Sequence, residues 1–300
     1  MPIQQRPTWR AYAALVVAVA GITWSAIFVR WAGVPGTASA LYRVVIAGAI
    51  LVPWWLLRGR GGSASARRRF STRQGLVAVA GGVFFALDLA LWNSSVLRTQ
   101  AAVASVLGNN TPFFVGMMSW LVFHRRPRAS FWIGLGLALA GCLMIIGADL
   151  RRGGGGTGNL TGDVMALVAS VFFAAYLVTT ERIRPKMDTL TFSTLAIAGS
   201  IATLFVLGLA LRIPLSGYPP RAWLAIAGLG IISQLVAYFA LVYALGHLPA
   251  TITSVGLLAQ VPSTALLAML LLGEPLTALQ LLGGAIVLAG IYVVNRGEGS

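Results

Sequence analysis

A chain of 300 residues with 58% hydrophobic and only 10% charged side chains, at a mean hydropathy of +0.84, lies far outside the composition of an ordinary soluble domain. Its net charge of +15 would suit a nucleic-acid partner, but the basic residues gather in short stretches between long apolar runs, where they set membrane topology, and no nucleic acid is expected as a partner. The single cysteine, Cys142, excludes an intrachain disulfide and a cysteine-based zinc site, and it reads as a small apolar residue inside a helix.

In chain order, a short basic stretch with Arg6 and Arg10 precedes an apolar run over about 11–32. The run is too long for a signal-peptide core and lacks a small-residue cleavage site before the next run, so a retained helix is expected. Further runs cover about 36–57, 75–97, 101–123 and 129–148. After the loop Arg151-Arg152-Gly153-Gly154-Gly155-Gly156 they resume at about 160–180, 189–211, 221–243, 250–272 and 278–295. Each approaches the roughly 20 residues that cross a bilayer. The expectation is an all-α membrane protein of ten transmembrane helices with the lipid bilayer as its surroundings. A cytoplasmic N-terminus would place 15 basic residues inside and 6 outside, with Arg43 left within a helix, so both termini are expected in the cytoplasm.

Two runs carry polar breaks. Asn109, Asn110, Thr111 and Pro112 lie near the middle of the fourth, and Gln260 and Pro262 lie at a similar depth in the ninth. Lipid offers no hydrogen bonds, and a proline cannot donate to the carbonyl four residues earlier, so each helix is expected to kink there. The two breaks should flank a polar pocket near the bilayer midplane. Leu257, Leu258 and Val261 make the ninth-helix wall the more apolar one.

The two halves also resemble each other. A shift of 149 residues sets Gly134 on Gly283, Gly141 on Gly290 and Ser105-Val106 on Ser254-Val255, with the prolines displaced by one more residue. Residues 1–150 and 151–300 therefore read as two repeats of five helices. An odd number of helices inverts the second copy, placing a central cavity between the halves, as in many secondary transporters.

Several motifs make the resemblance specific. Trp24-Ser25-Ala26, the segment from Ala40 to Gly48, Gly162-Asp163, Leu272-Gly273-Glu274-Pro275-Leu276, Gly283 and Ala289-Gly290 together resemble the EamA family of the drug/metabolite transporter superfamily over nearly the whole chain. The resemblance implies a ten-helix exporter of small metabolites with a cavity that alternates between the two sides. One departure is Phe123-His124-Arg125-Arg126-Pro127, which lacks the acid that the second half keeps as Glu274. Within the family the chain is most similar to bacterial exporters of aromatic and other hydrophobic amino acids, because its cavity candidates are aromatic and amide groups with little fixed charge.

The candidate substrate-binding residues are Trp24 and Ser25 in the first helix, Asp88 and Trp92 in the third, and Asn109 and Asn110 in the fourth. Tyr176 in the sixth, Gln234 and Tyr238 in the eighth and Gln260 in the ninth complete the set. Phe172, Phe173 and Thr179 accompany Tyr176, and Thr253 and Thr264 accompany Gln260. Asp88 is the only acid well inside an apolar run and must face a partner or water. Paired with Arg43 it would be structural; unpaired, it would be a site of proton coupling. The glycines at 134, 136, 141, 283, 284 and 290 should allow close helix approach, within one protomer or across a homodimer. His124 and His247 stand apart without further ligands, so no metal and no cofactor is expected. The first alternative is an exporter of a different metabolite or a cationic drug in the same superfamily; from other classes, a membrane-embedded enzyme is disfavoured without a nucleophile–base pair or a phosphate-cradling glycine motif, and a passive channel is the remaining alternative.

Overall fold

The computed structural model describes residues 9–61, 70–98, 107–124, 126–151, 160–272 and 277–298, and every regular element among them is helical. The rods are α1 (Trp9–Ala32), α2 (Gly36–Gly61), α3 (Thr72–Val96), α4 (Thr111–Phe123) and α5 (Ala129–Arg151) in the first half. The second half has α6 (Leu160–Ile183), α7 (Thr189–Ala210), α8 (Pro220–Leu245), α9 and α10 (Ala278–Glu298). Here α9 is Ala250–Gly256, a 3-10 turn Leu257–Ala259, and Gln260–Leu272.

Among the described residues, seven helices are long and apolar enough to cross a membrane: α1, α2, α3, α6, α7, α8 and α10. The expected ten spans are met to that extent. The helix of α4 has 13 residues, α9 is interrupted, and α5 offers the shorter apolar stretch Ala129–Ile145. Ser105, Val106 and the residues 273–276, with Glu274, lie outside the described residues, as do residues 62–69 and 152–159.

Helix ends follow local chemistry. Ser71 starts α3 with a capping box: its hydroxyl accepts from the Gln74 backbone N–H at 3.3 Å, while the Gln74 side chain accepts from the Ser71 N–H at 2.9 Å. Thr277 and Gln280 repeat that arrangement before α10, at 3.1 and 2.8 Å. Asp188 caps α7 by accepting from the Thr191 N–H at 3.2 Å. Gly33, with φ of 59°, ends α1 in the left-handed region that glycine tolerates without strain.

The packing is two-fold related. Residues Gly134 and Gly141 of α5 correspond in sequence to Gly283 and Gly290 of α10. In space they cross: a Cβ on Gly134 would lie 2.6 Å from the Gly290 carbonyl, and one on Gly141 would lie 2.5 Å from the Gly283 carbonyl. The reverse contacts are equally close, at 2.5 Å for Gly290 and 2.8 Å for Gly283. Such reciprocal pairing of equivalent positions is what a two-fold axis generates. The remaining contacts agree, since α3 packs on α6 as α1 packs on α8, and α2 meets its counterpart α7. Gly134, Gly141, Gly283 and Gly290 are thus used between the halves of one chain, while Gly284 meets Pro262 of α9. Gly136 faces open space instead.

Candidate functional site

The site begins with α8, whose central segment Leu229–Tyr238 is a π-helix. Glycines draw the segment against its neighbours: a Cβ on Gly228 would meet the Phe28 ring at 2.7 Å, and one on Gly230 would meet Ile46 at 2.7 Å. Ser233 donates to the Gly21 carbonyl at 2.8 Å, and Gly21 itself has no room for a Cβ against Ala237. These contacts hold α8 to α1 and α2. The wide turn carries Gln234 and Tyr238 into the interior, where they keep 3% and 8% of their surface. Such π segments recur at functional sites.

Aromatic rings gather around Tyr238. Phe85 of α3 lies 4.5 Å from it and stacks on Tyr176 of α6 at 4.8 Å. Phe173 stands 6.2 Å from Tyr176 and 6.3 Å from Tyr238, and Phe192 of α7 closes the group at 6.4 Å from Tyr176. The guanidinium of Arg43 sits 5.5 Å from the centre of the Tyr238 ring, within the range of a cation–π contact. Its Nη1 donates to the Ser25 hydroxyl at 3.1 Å. Nε and Nη2 of Arg43 and the side-chain oxygen of Gln234 are buried without a hydrogen-bond partner.

One face of α3 links this nest to the break in α4. Phe85, Asp88 and Trp92 are spaced by three and four residues and so share that face. Asp88 is buried one helical turn beyond Phe85, whose ring touches both Tyr176 and Tyr238. Of the two alternatives for Asp88, pairing with Arg43 is not the one observed: the two side chains are not within 4.0 Å of each other, whereas Arg58 and Asp188 are, at 3.6 Å. Trp92, like Trp24 and Leu107, packs against the buried cluster of Phe28, Val29, Val96, Ala166 and Leu229, and its indole lies beneath Gly108, where a Cβ would come within 3.4 Å of Nε1. Trp24 stacks on Phe28 at 5.7 Å and marks the point where α1 is briefly interrupted.

At α4 the geometry differs from a kinked continuous helix. Asn109 and Asn110 form a turn, and the helix starts at Thr111 with Pro112 in its first turn, where a missing N–H costs nothing. Side chains cap the carbonyls before the break: Thr111 donates to Gly108 at 3.0 Å, and Asn110 donates to Leu107 at 3.3 Å from both its side-chain amide and its backbone N–H. In α9, Pro262 likewise falls in the first turn after a 3-10 turn. The two breaks meet, because the Gln260 amide donates to the Asn109 side-chain oxygen at 3.2 Å.

The structure therefore brings Ser25, Arg43, Tyr176 and Tyr238 to one nest and Asn109 with Gln260 to a second, with Asp88 and Trp92 on one face of α3; Gln234 is buried in the π segment that carries Tyr238. Phe85 was missed in the sequence, although its position three residues before Asp88 placed it on the same face. Asn93 was missed too; its amide binds the Gly36 carbonyl and Ser39 hydroxyl at 3.3 and 2.9 Å, tying α3 to α2. Among the described residues no group of three or more His, Cys, Asp or Glu side chains converges on a point.

A helical membrane body whose halves pack about a two-fold axis, with polar helix breaks meeting inside it, is of the secondary-transporter class. The chain belongs to the EamA-like transporter family, which matches residues 4–147 and again 160–296. It is 28% identical over 209 residues to the uncharacterized transporter YwfM of Bacillus subtilis, covering 68% of each chain. It is 28% identical to the pseudopaline exporter CntI of Pseudomonas aeruginosa over 75% of this chain and 77% of that one. It is 27% identical to the threonine/homoserine exporter RhtA of Escherichia coli over 96% of this chain and 92% of that one. A solved crystal structure superposes on 95% of the chain with a TM-score of 0.75 at 19% identity, a likeness of fold. The protein is thus a multi-pass membrane transporter of the EamA type, and its family and relatives point away from an enzyme.

Proposed function

We propose that the protein exports small metabolites, aromatic or other hydrophobic amino acids foremost, across the bacterial inner membrane by alternating access. The observation that carries this reading is the nest of Phe85, Phe173, Tyr176 and Tyr238 beside the buried charges of Arg43 and Asp88. An apolar ring and a polar head group would find complementary surfaces there. In this reading residues 1–150 and 151–300 are inverted repeats of five spans each, both termini are cytoplasmic, and substrate passes between the repeats. Trp24, Ser25, Trp92, Asn109, Asn110, Gln234 and Gln260 line its path.

Export is supported by two relatives named as exporters. Those names also favour a second reading, in which the cargo is a more polar amino-acid-like metabolite. Counterflow in proteoliposomes with a panel of amino acids tests both. Substrate on the far side should accelerate tracer uptake for the aromatic members. Rapid, non-saturating flux without such acceleration would mean a passive channel and reject the proposal.

A further inference from the structure

We propose that Arg43 is the residue that selects substrates by their carboxylate, and that Asp88 receives the ammonium group of the same molecule. This assignment rests on the amino-acid reading above and specifies the substrate class as free, unmodified zwitterionic amino acids.

The starting point is a guanidinium 99% buried yet only partly bonded. Arg43 keeps 1% of its surface, and of its three nitrogens only Nη1 has a hydrogen-bond partner, the Ser25 hydroxyl. A charged side chain at membrane depth ordinarily pairs with an opposite charge or with backbone carbonyls. Arg43 does neither: it forms no ion pair with Asp88, and Nε and Nη2 have no partner. Those two nitrogens occupy the same edge of the planar group, the fork that binds a carboxylate through two parallel hydrogen bonds.

The surroundings hold that fork in place. Ser25 of α1 fixes Nη1, and the Tyr238 ring of α8 supports the guanidinium at 5.5 Å. Tyr238 is itself packed by Phe85 at 4.5 Å. A donor held by both halves of the chain needs no reorganisation when an anion arrives. Among the described residues Asp88 has no basic side chain within 4.0 Å, although it keeps only 7% of its surface. A positive and a negative group, buried near each other but not paired, present complementary charges to a molecule that carries both. A substrate lacking one of its charges would leave one of them unmatched, and the lost contact should be costly because both groups are buried.

The test uses reconstituted wild-type protein and labelled phenylalanine, with phenylalaninamide and N-acetylphenylalanine as competitors. The amide lacks the carboxylate and the acetyl derivative lacks the ammonium group. Both should compete at least about ten-fold more weakly than phenylalanine. Arg43→Gln should bring phenylalanine down to the level of the amide, Arg43→Lys should restore part of the difference, and Asp88→Asn should remove the penalty on the acetyl derivative. Equal competition by the amide in the wild type would overturn the anchor while leaving amino-acid transport standing. Failure of every amino acid in the panel to be carried would overturn both. If the Arg43 variants do not fold, the competitor panel on the wild type still decides.

Discussion

The side-chain amide of Gln260 donates to the side-chain oxygen of Asn109 at 3.2 Å, so the break in α9 is tied to the break in α4 across the two halves of the chain. Both residues sit where a helix restarts ahead of a proline, at Pro112 and Pro262. Under the proposed alternating access, this bond would join elements of the two halves that move against each other.

Alanine at Asn109 or at Gln260 should therefore slow counterflow at equal expression. The double variant should be little worse than either single one, with a coupling of about 0.6 kcal/mol, the average for interhelical bonds in membranes. Alanine at Leu257 or Leu258 should impair transport less than alanine at Asn109. The reverse order would reject Asn109 as part of the substrate path.

The crossed glycine contacts give a stability prediction. Valine at Gly134 or Gly141 would drive a side chain into the backbone of α10, and overpacking of this kind costs about 1–3 kcal/mol. Thermal melting in detergent should fall for both. Valine at Gly136, which faces nothing within 4 Å, should melt like the wild type.

Arg184 fastens one end of the bundle. Its Nε donates to the Val242 carbonyl of α8 at 3.0 Å, its Nη2 to the Thr189 hydroxyl at the start of α7 at 2.7 Å, and its Nη1 to the Met187 carbonyl. Beside it Glu181 accepts from the Ala250 N–H at the start of α9 at 3.1 Å. Lysine cannot reproduce three diverging donors. Arg184→Lys should lower the melting temperature, by the equivalent of about 1.5–3 kcal/mol for the charged hydrogen bonds lost.

Topology can be checked by reporter fusions. From the 15-to-6 division of basic residues, Ser65 is expected in the cytoplasm and Gly154 outside. A fusion at Ser65 active only outside the cell would invert the assignment.

By itself the sequence determined the class, the helical runs, the duplication and the places where polar residues interrupt a helix. Each follows from a local or periodic constraint: lipid forces backbone groups to pair within a segment, and Asn109-Asn110-Thr111-Pro112 breaks that rule in a way visible in four residues. The tertiary structure decided which polar groups meet. Arg43 and Asp88 seemed natural partners from depth alone, yet depth does not fix the rotation of α2 against α3, and the pair does not form. Arg43 instead joins Ser25 and Tyr238, residues 18 positions before it and 195 after it. The π segment of α8 was equally hidden, because a register of five rather than four is set by packing on α1 and α2 through Gly228, Gly230 and Ser233. Covalent order and hydrophobic period fix where a helix lies in a membrane, but only close packing with its neighbours fixes the face that it turns toward them.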